Sequence, residues 1–122
     1  MKHLLYSIVI FVTVFTAKAQ TSHQPTFVKG TNTEEVVFGV INYAPEQMNT
    51  YKTALNQLGG VTFMKVCHSQ KLWLLHVDRN VQANNTAIEN AIKGITPSAQ
   101  IFHKWANFAD IEPMCKDEFL KQ

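Results

Sequence analysis

The soft-ligand side chains of this chain are Cys67-His68, His76, His103, Met114 and Cys115. Thiolates, thioethers and imidazoles suit Cu(I) or Zn(II) when several converge on one point. The spacing argues against convergence. Cys67 and His68 are consecutive in a segment of strand character, so their side chains leave on opposite faces. Cys67 and His76 can share a face across a hairpin, but strand spacing puts them about 13 Å apart. No metal site and no cofactor are therefore expected. The two cysteines have another use. In an oxidising compartment two thiols commonly form one disulfide, here Cys67–Cys115. The rival reading is one buried and one exposed free thiol.

Catalytic groupings find little support. Ser69 adjoins His68 at a turn, but no third group is placed by sequence to orient the imidazole. Glu34-Glu35 and the Asp110, Glu112 pair read as solvated charges. Gly59-Gly60 follows a helix and precedes none, so it cannot cradle a phosphate at a helix N-terminus. Asn84-Asn85-Thr86 matches a glycosylation sequon but coincides with a helix start. No catalytic residue is expected, and the chain does not read as an enzyme.

The elements that would position these groups follow from periodicity. Val36 to Ile41 is a short β-branched run, which suits a central strand. Pro45 favours a first helical turn. Met48, Tyr51, Leu55 and Leu58 form a helical stripe, and Gly59-Gly60 ends it. Val61 to His68 and Leu72 to Val77 read as a hairpin with Ser69-Gln70 at its tip. That register pairs Cys67 with Leu72, Val66 with Trp73, Met64 with Leu75 and Phe63 with His76. It puts Thr62, Met64, Val66, Trp73, Leu75 and Val77 on one face. Phe63, Lys65, Cys67, Leu72, Leu74 and His76 fall on the other. Thr86 to Glu89 reads as a capping box opening a second helix, with Ile88, Ala91, Ile92 and Ile95 as its stripe. Ala99 to Trp105 reads as a fourth strand. Trp73, Trp105, Phe102 and Phe108 are expected as core and tail packing, with anchors of a partner surface on an uncovered sheet face as the alternative. The order is β-α-β-β-α-β, an α+β ferredoxin-like sandwich with a C-terminal tail.

The ends carry further information. Met1-Lys2-His3, an apolar run from Leu4 to Phe15, and Ala17-Lys18-Ala19 have the layout of a secretory signal peptide over 1–19. Export to a periplasmic or extracellular space is expected, with no membrane insertion after cleavage. Of eleven lysines and arginines, Lys2 and Lys18 lie in that leader, so nine basic residues remain against nine acidic. A neutral chain lacks the basic face that nucleic-acid binding needs. Residues 20–33 read as a flexible polar arm, 34–105 as the domain, and 106–122 as the tail. The second face of the hairpin would be an open apolar surface unless covered. Phe108, Ile111, Met114 and Phe119 could cover it, with Pro113 starting a last helical turn. Left open, that face is a candidate surface for a protein partner.

Ala54-Leu55-Asn56-Gln57-Leu58-Gly59-Gly60-Val61, Val77-Asp78 and Ala87-Ile88-Glu89-Asn90-Ala91-Ile92-Lys93-Gly94 carry a family resemblance. Through them, residues 36–105 resemble a heavy-metal-associated (HMA) domain, the small metallochaperone-like module. The resemblance implies a metal-binding Met-x-Cys-x-x-Cys loop between the first strand and first helix. Its cysteine positions fall on Ala44 and Gln47, and neither side chain can replace a thiolate. The resemblance thus implies the fold without the family's usual activity. The expected function is a small, exported, non-catalytic accessory or interaction module. The alternative is a divergent metal-handling protein that uses Cys67 and Cys115.

Overall fold

The computed structural model describes residues 24–122. The signal peptide expected over 1–19 lies outside the described residues. Five strands are present: β1 (Thr26–Phe27), β2 (Thr33–Ile41), β3 (Val61–Cys67), β4 (Leu72–Asp78) and β5 (Gln100–Lys104). They alternate with helices α1 (Met48–Asn56, entered through a 3-10 turn at Pro45–Gln47), α2 (Thr86–Ile95) and α3 (Phe108–Leu120). The result is a mixed α/β domain with one antiparallel sheet. β2 is central. It pairs with β4 on one side, and on the other with β1 along its first half and β5 along its second. β3 lies outside β4. The sheet has five strands, not four, because part of the expected flexible arm pairs with β2: Thr26 lies opposite Glu35, and Phe27 opposite Glu34.

α1 and α2 cover one face of the sheet. Met48, Tyr51 and Leu55 meet Ile88 and Ile92 above Val36, Phe38, Val40, Trp73, Leu75 and Val77. Tyr51 is fully buried, and its hydroxyl is satisfied by the Ala44 N–H (3.0 Å) and the Thr96 hydroxyl. Gly60, at φ +76°, turns the chain into β3. A Cβ there would lie 2.8 Å from Cβ of Val81, so a side chain would collide as well as strain the backbone.

The hairpin register differs from the alternation in the sequence. Cys67 lies opposite Leu72 and Val66 opposite Trp73, as expected. Then Lys65 pairs with Leu74, but Phe63 pairs with Leu75. Met64 is the extra residue of a bulge, which shifts every residue before it by one place. Phe63 therefore turns into the helix-covered core and stacks edge-on against Trp73 at 5.6 Å. Met64, expected in that core, is 43% exposed. A bulge satisfies the burial of both Phe63 and Val66, which strict period two cannot do.

Three local expectations also change. Thr86 does not cap α2 with its side chain: Asn85 is the N-cap, and the Thr86 N–H donates to Asn84 Oδ1 (3.0 Å). α3 begins at Phe108, well before Pro113. Asn107 and Asp110 form a reciprocal capping box there (2.9 and 3.2 Å). Pro113 lies inside the helix, and the backbone leaves helical geometry at Cys115 (φ −126°, ψ 16°). Glu34 and Glu35 are not simply solvated. Glu34 is buried and accepts from Arg79 Nε (2.7 Å), while Arg79 Nη1 donates to the Gln82 carbonyl and Asn85 Oδ1. Glu35 Oε1 accepts from the Phe108 N–H (3.3 Å).

Candidate functional site

The second face of the sheet is closed. α3 crosses it, and Ile111, Cys115 and Phe119 pack on Val37, Cys67, Leu72 and Leu74. Cys67 and Cys115 form a disulfide with Cα atoms 5.8 Å apart. The tail covers this face, as expected, and the face is core rather than an open surface for a partner. His76 stacks on Phe108 with ring centroids 5.3 Å apart, and the Lys65 ammonium lies over the Phe119 ring at 4.8 Å. Both sulfurs are used in the bond, so neither is a thiolate ligand in this state. Among the described residues, no three His, Cys, Asp or Glu side chains are grouped to hold a metal ion. Met114 is exposed on α3, and His103 lies on β5, away from the cysteines.

His68 is exposed but has a partner. Its Nδ1 lies 2.6 Å from the Tyr43 hydroxyl, and the two rings stack with centroids 5.8 Å apart. Asn42, Tyr43, Pro45, His68 and Lys71 line a shallow cleft of about 270 Å³ between the β2–α1 loop and the β3–β4 turn. Asn42 (φ 66°) and Lys71 (φ 56°) adopt left-handed backbone there, which tightens both turns. Burial raises the Tyr43 hydroxyl's pKa, while the nearby Trp73 indole acts in the opposite direction. The Ser69 hydroxyl lies 3.5 Å from the Cys67 sulfur. Glu118 grips the backbone of this turn. Bonds from the Ser69 hydroxyl, then the Ser69 and His68 N–H groups, hold its carboxyl below the usual glutamate range. Ala44 and Gln47 sit in the loop with no group able to act as a thiolate.

The two edges of the sheet differ in backbone chemistry. Strand parity fixes which groups each edge presents. The Val40 N–H donates to the Lys71 carbonyl (3.0 Å), and the Asn32 carbonyl accepts from the Arg79 N–H (3.0 Å). Even-numbered residues of β2 thus turn toward β4. The Thr33 carbonyl accepts from the Val28 N–H (2.8 Å), so odd-numbered residues turn toward β1 and β5. Antiparallel partners alternate between exchanging both bonds and exchanging neither. Gly39 with Phe102 and Val37 with Lys104 are then bonded pairs. Ile101 and His103 must direct their N–H and C=O groups away from the sheet.

On the β3 edge every such amide between Val61 and Ser69 that the parity turns outward is taken, save the bulge. The Val61 N–H donates to the Leu58 carbonyl (3.3 Å) and the Phe63 N–H to Asn56 Oδ1 (2.7 Å). Gln122 serves Val66 twice, accepting from its N–H (3.1 Å) and donating to its carbonyl (2.6 Å). The two Glu118 oxygens accept from the His68 and Ser69 N–H groups (2.7 and 3.0 Å). On β5, no described residue bonds the outward groups of Ile101 or His103. The aromatics expected in the core flank this edge instead: Phe102 is 53% and Trp105 60% exposed. Trp105 stacks on His103 at 4.2 Å, and burial holds the His103 imidazole below its ordinary pKa. Phe102 lies over Gly39, on the sheet face that α3 covers further along. The expected ferredoxin-like order itself implies an edge position for the fourth strand, and β5 lies at an edge; what departs from expectation is the exposure of Phe102 and Trp105.

No protein-family model, no curated protein and no solved structure matches this chain.

Proposed function

We propose that the protein is an exported, non-catalytic accessory or interaction module on a ferredoxin-like, HMA-like fold. It contacts a protein partner along β5. The β-α-β-β-α-β order and the β5-β2-β4-β3 strand sequence support the fold. The leader pattern and the disulfide support export. No helix among the described residues is long and apolar enough to cross a membrane. The observation that carries the interaction reading is the β5 edge between exposed Phe102 and Trp105, which no described residue caps. Unpaired strand edges beside aromatic side chains favour strand addition by another chain.

Site-directed photo-crosslinking in the exporting cell tests this reading. A photoreactive residue in place of Trp105 is expected to give a discrete crosslinked protein product. The same residue in place of Met64, exposed beside the capped edge, should give none. Products from Met64 alone would move the surface off β5, and products from neither position would end the interaction reading.

A further inference from the structure

We infer that the β5 edge pairs with β5 of a second copy of this chain, antiparallel, about a twofold axis through Phe102. The inference rests on the interaction reading above and names its partner. Two copies of an edge strand form a closed, self-complementary interface only when one register satisfies both. The outward groups here belong to Ile101 and His103. A symmetric antiparallel register must set outward residues opposite outward residues. Centring on Phe102 places Ile101 opposite His103 of the other copy, and the reverse, so both pairs exchange their two N–H···O bonds. Centring on Ile101 or His103 would bond one of them to itself. It would extend the other onto Ala99 or Trp105, beyond the strand.

The side chains fit the same register. Phe102 meets its own counterpart at a non-bonded position, where cross-strand side chains approach most closely and aromatic pairs are favourable. Lys104, the only charged residue of β5 while His103 is neutral, faces Gln100 of the other copy rather than another lysine. No like charges lie directly opposite. Residues 24–122 also carry nine basic against nine acidic side chains, so no net repulsion opposes association. The β3 edge cannot compete, because Asn56, Glu118 and Gln122 already occupy its outward backbone. An extended segment of a different protein would use the same backbone groups, but would not need this symmetry.

Sedimentation velocity of the purified exported protein, from micromolar to submillimolar concentration, is the primary test. A monomer–dimer equilibrium is expected. In the same series, the Ile101 and His103 amides should gain hydrogen-exchange protection as concentration rises. Phe102→Glu and Phe102→Lys should each weaken self-association about tenfold or more, by placing like charges on the axis. Phe102 is a surface residue, so both variants should stay folded. Mixing the two should restore a dimer, since opposite charges then meet. Gln100→Glu should tighten the wild-type dimer by facing Lys104. A monomer at every concentration overturns the second-copy inference. Trp105 crosslinks to an unrelated protein would in that case leave the interaction module standing. A dimer indifferent to both Phe102 variants would place the interface elsewhere and equally overturn the inference.

Discussion

The β3 and β5 edges belong to one sheet and have opposite fates. β3 contains a bulge, carries a disulfide at its end, and has its outward backbone bonded by side chains from α1 and α3 and by Gln122. β5 is short, regular and unbonded on its outer side among the described residues. The difference teaches how an edge is silenced without adding a strand. Gln122 offers Val66 one donor and one acceptor, the same pair that a neighbouring strand residue would supply. The Gln122 side chain therefore stands in for a neighbouring strand residue at Val66. β5 has no counterpart, and its exposed Phe102 and Trp105 are the residues a natural edge usually replaces with charge.

The largest effect should come from putting the same charge on each edge strand. Val66 is buried and Phe102 is half exposed. Val66→Asp should cost more than about 3 kcal/mol, enough to unfold much of the population, because it buries an unpaired carboxylate. Phe102→Asp should shift stability by less than about 0.5 kcal/mol. Urea unfolding of both variants checks this at concentrations where self-association is negligible. Equal losses would erase the distinction between the edges.

Removing the disulfide with Cys67→Ala/Cys115→Ala should be the next largest change. The bond closes a 48-residue separation, and its loss should cost about 2–4 kcal/mol by chain entropy. It should also loosen α3 and with it the caps on β3. Hydrogen exchange at Val66 and His68 should then accelerate, while exchange at Ile101 and His103 should change little. Unaltered protection at Val66 would show that the caps hold without the crosslink.

Gln122→Ala removes two bonds to Val66 at once. A loss of about 1–2 kcal/mol is expected, since the Val66 amide and carbonyl lose partners but can reach water. Self-association through β3 should rise in sedimentation experiments, making the two edges more alike. If Gln122→Ala leaves both stability and monomer content unchanged, the Gln122 side chain has no energetic role at Val66.

The smallest effect should be that of acid on Glu118. Its carboxyl is held below the ordinary glutamate range by the Ser69 hydroxyl and then by the Ser69 and His68 amides. A lowered native pKa stabilises the fold above the unfolded value. That contribution is lost as pH falls from the ordinary glutamate range through the lowered native one. Glu118 is only half-buried at the surface, where solvent screens it, so the change should be small. Wild type should lose a little more stability than Glu118→Gln across that window. Parallel pH profiles would remove Glu118 from the edge cap.

Sequence periodicity alone established the element order, the α1 stripe of Met48, Tyr51 and Leu55, and the central place of the Val36–Ile41 run. Those features follow from local repeat and burial, which a chain carries in its own pattern. The wish of Cys67, Leu72 and Leu74 for a cover, and the apolar residues of the tail that could supply it, were legible for the same reason. Only the tertiary structure decided the rest. The Met64 bulge arises because Phe63 and Val66 must both reach one core, a demand set by packing across strands rather than along one. Phe27 pairs with Glu34 in a short local hairpin that the polar composition of the arm conceals, and Glu34 finds Arg79 across a sequence separation of 45 that no local pattern encodes. The candidate surface depended most on topology. Phe102 and Trp105 look like core residues in the chain, and become exposed because β5 lies at the rim of the sheet. There only one side of the strand has a neighbour.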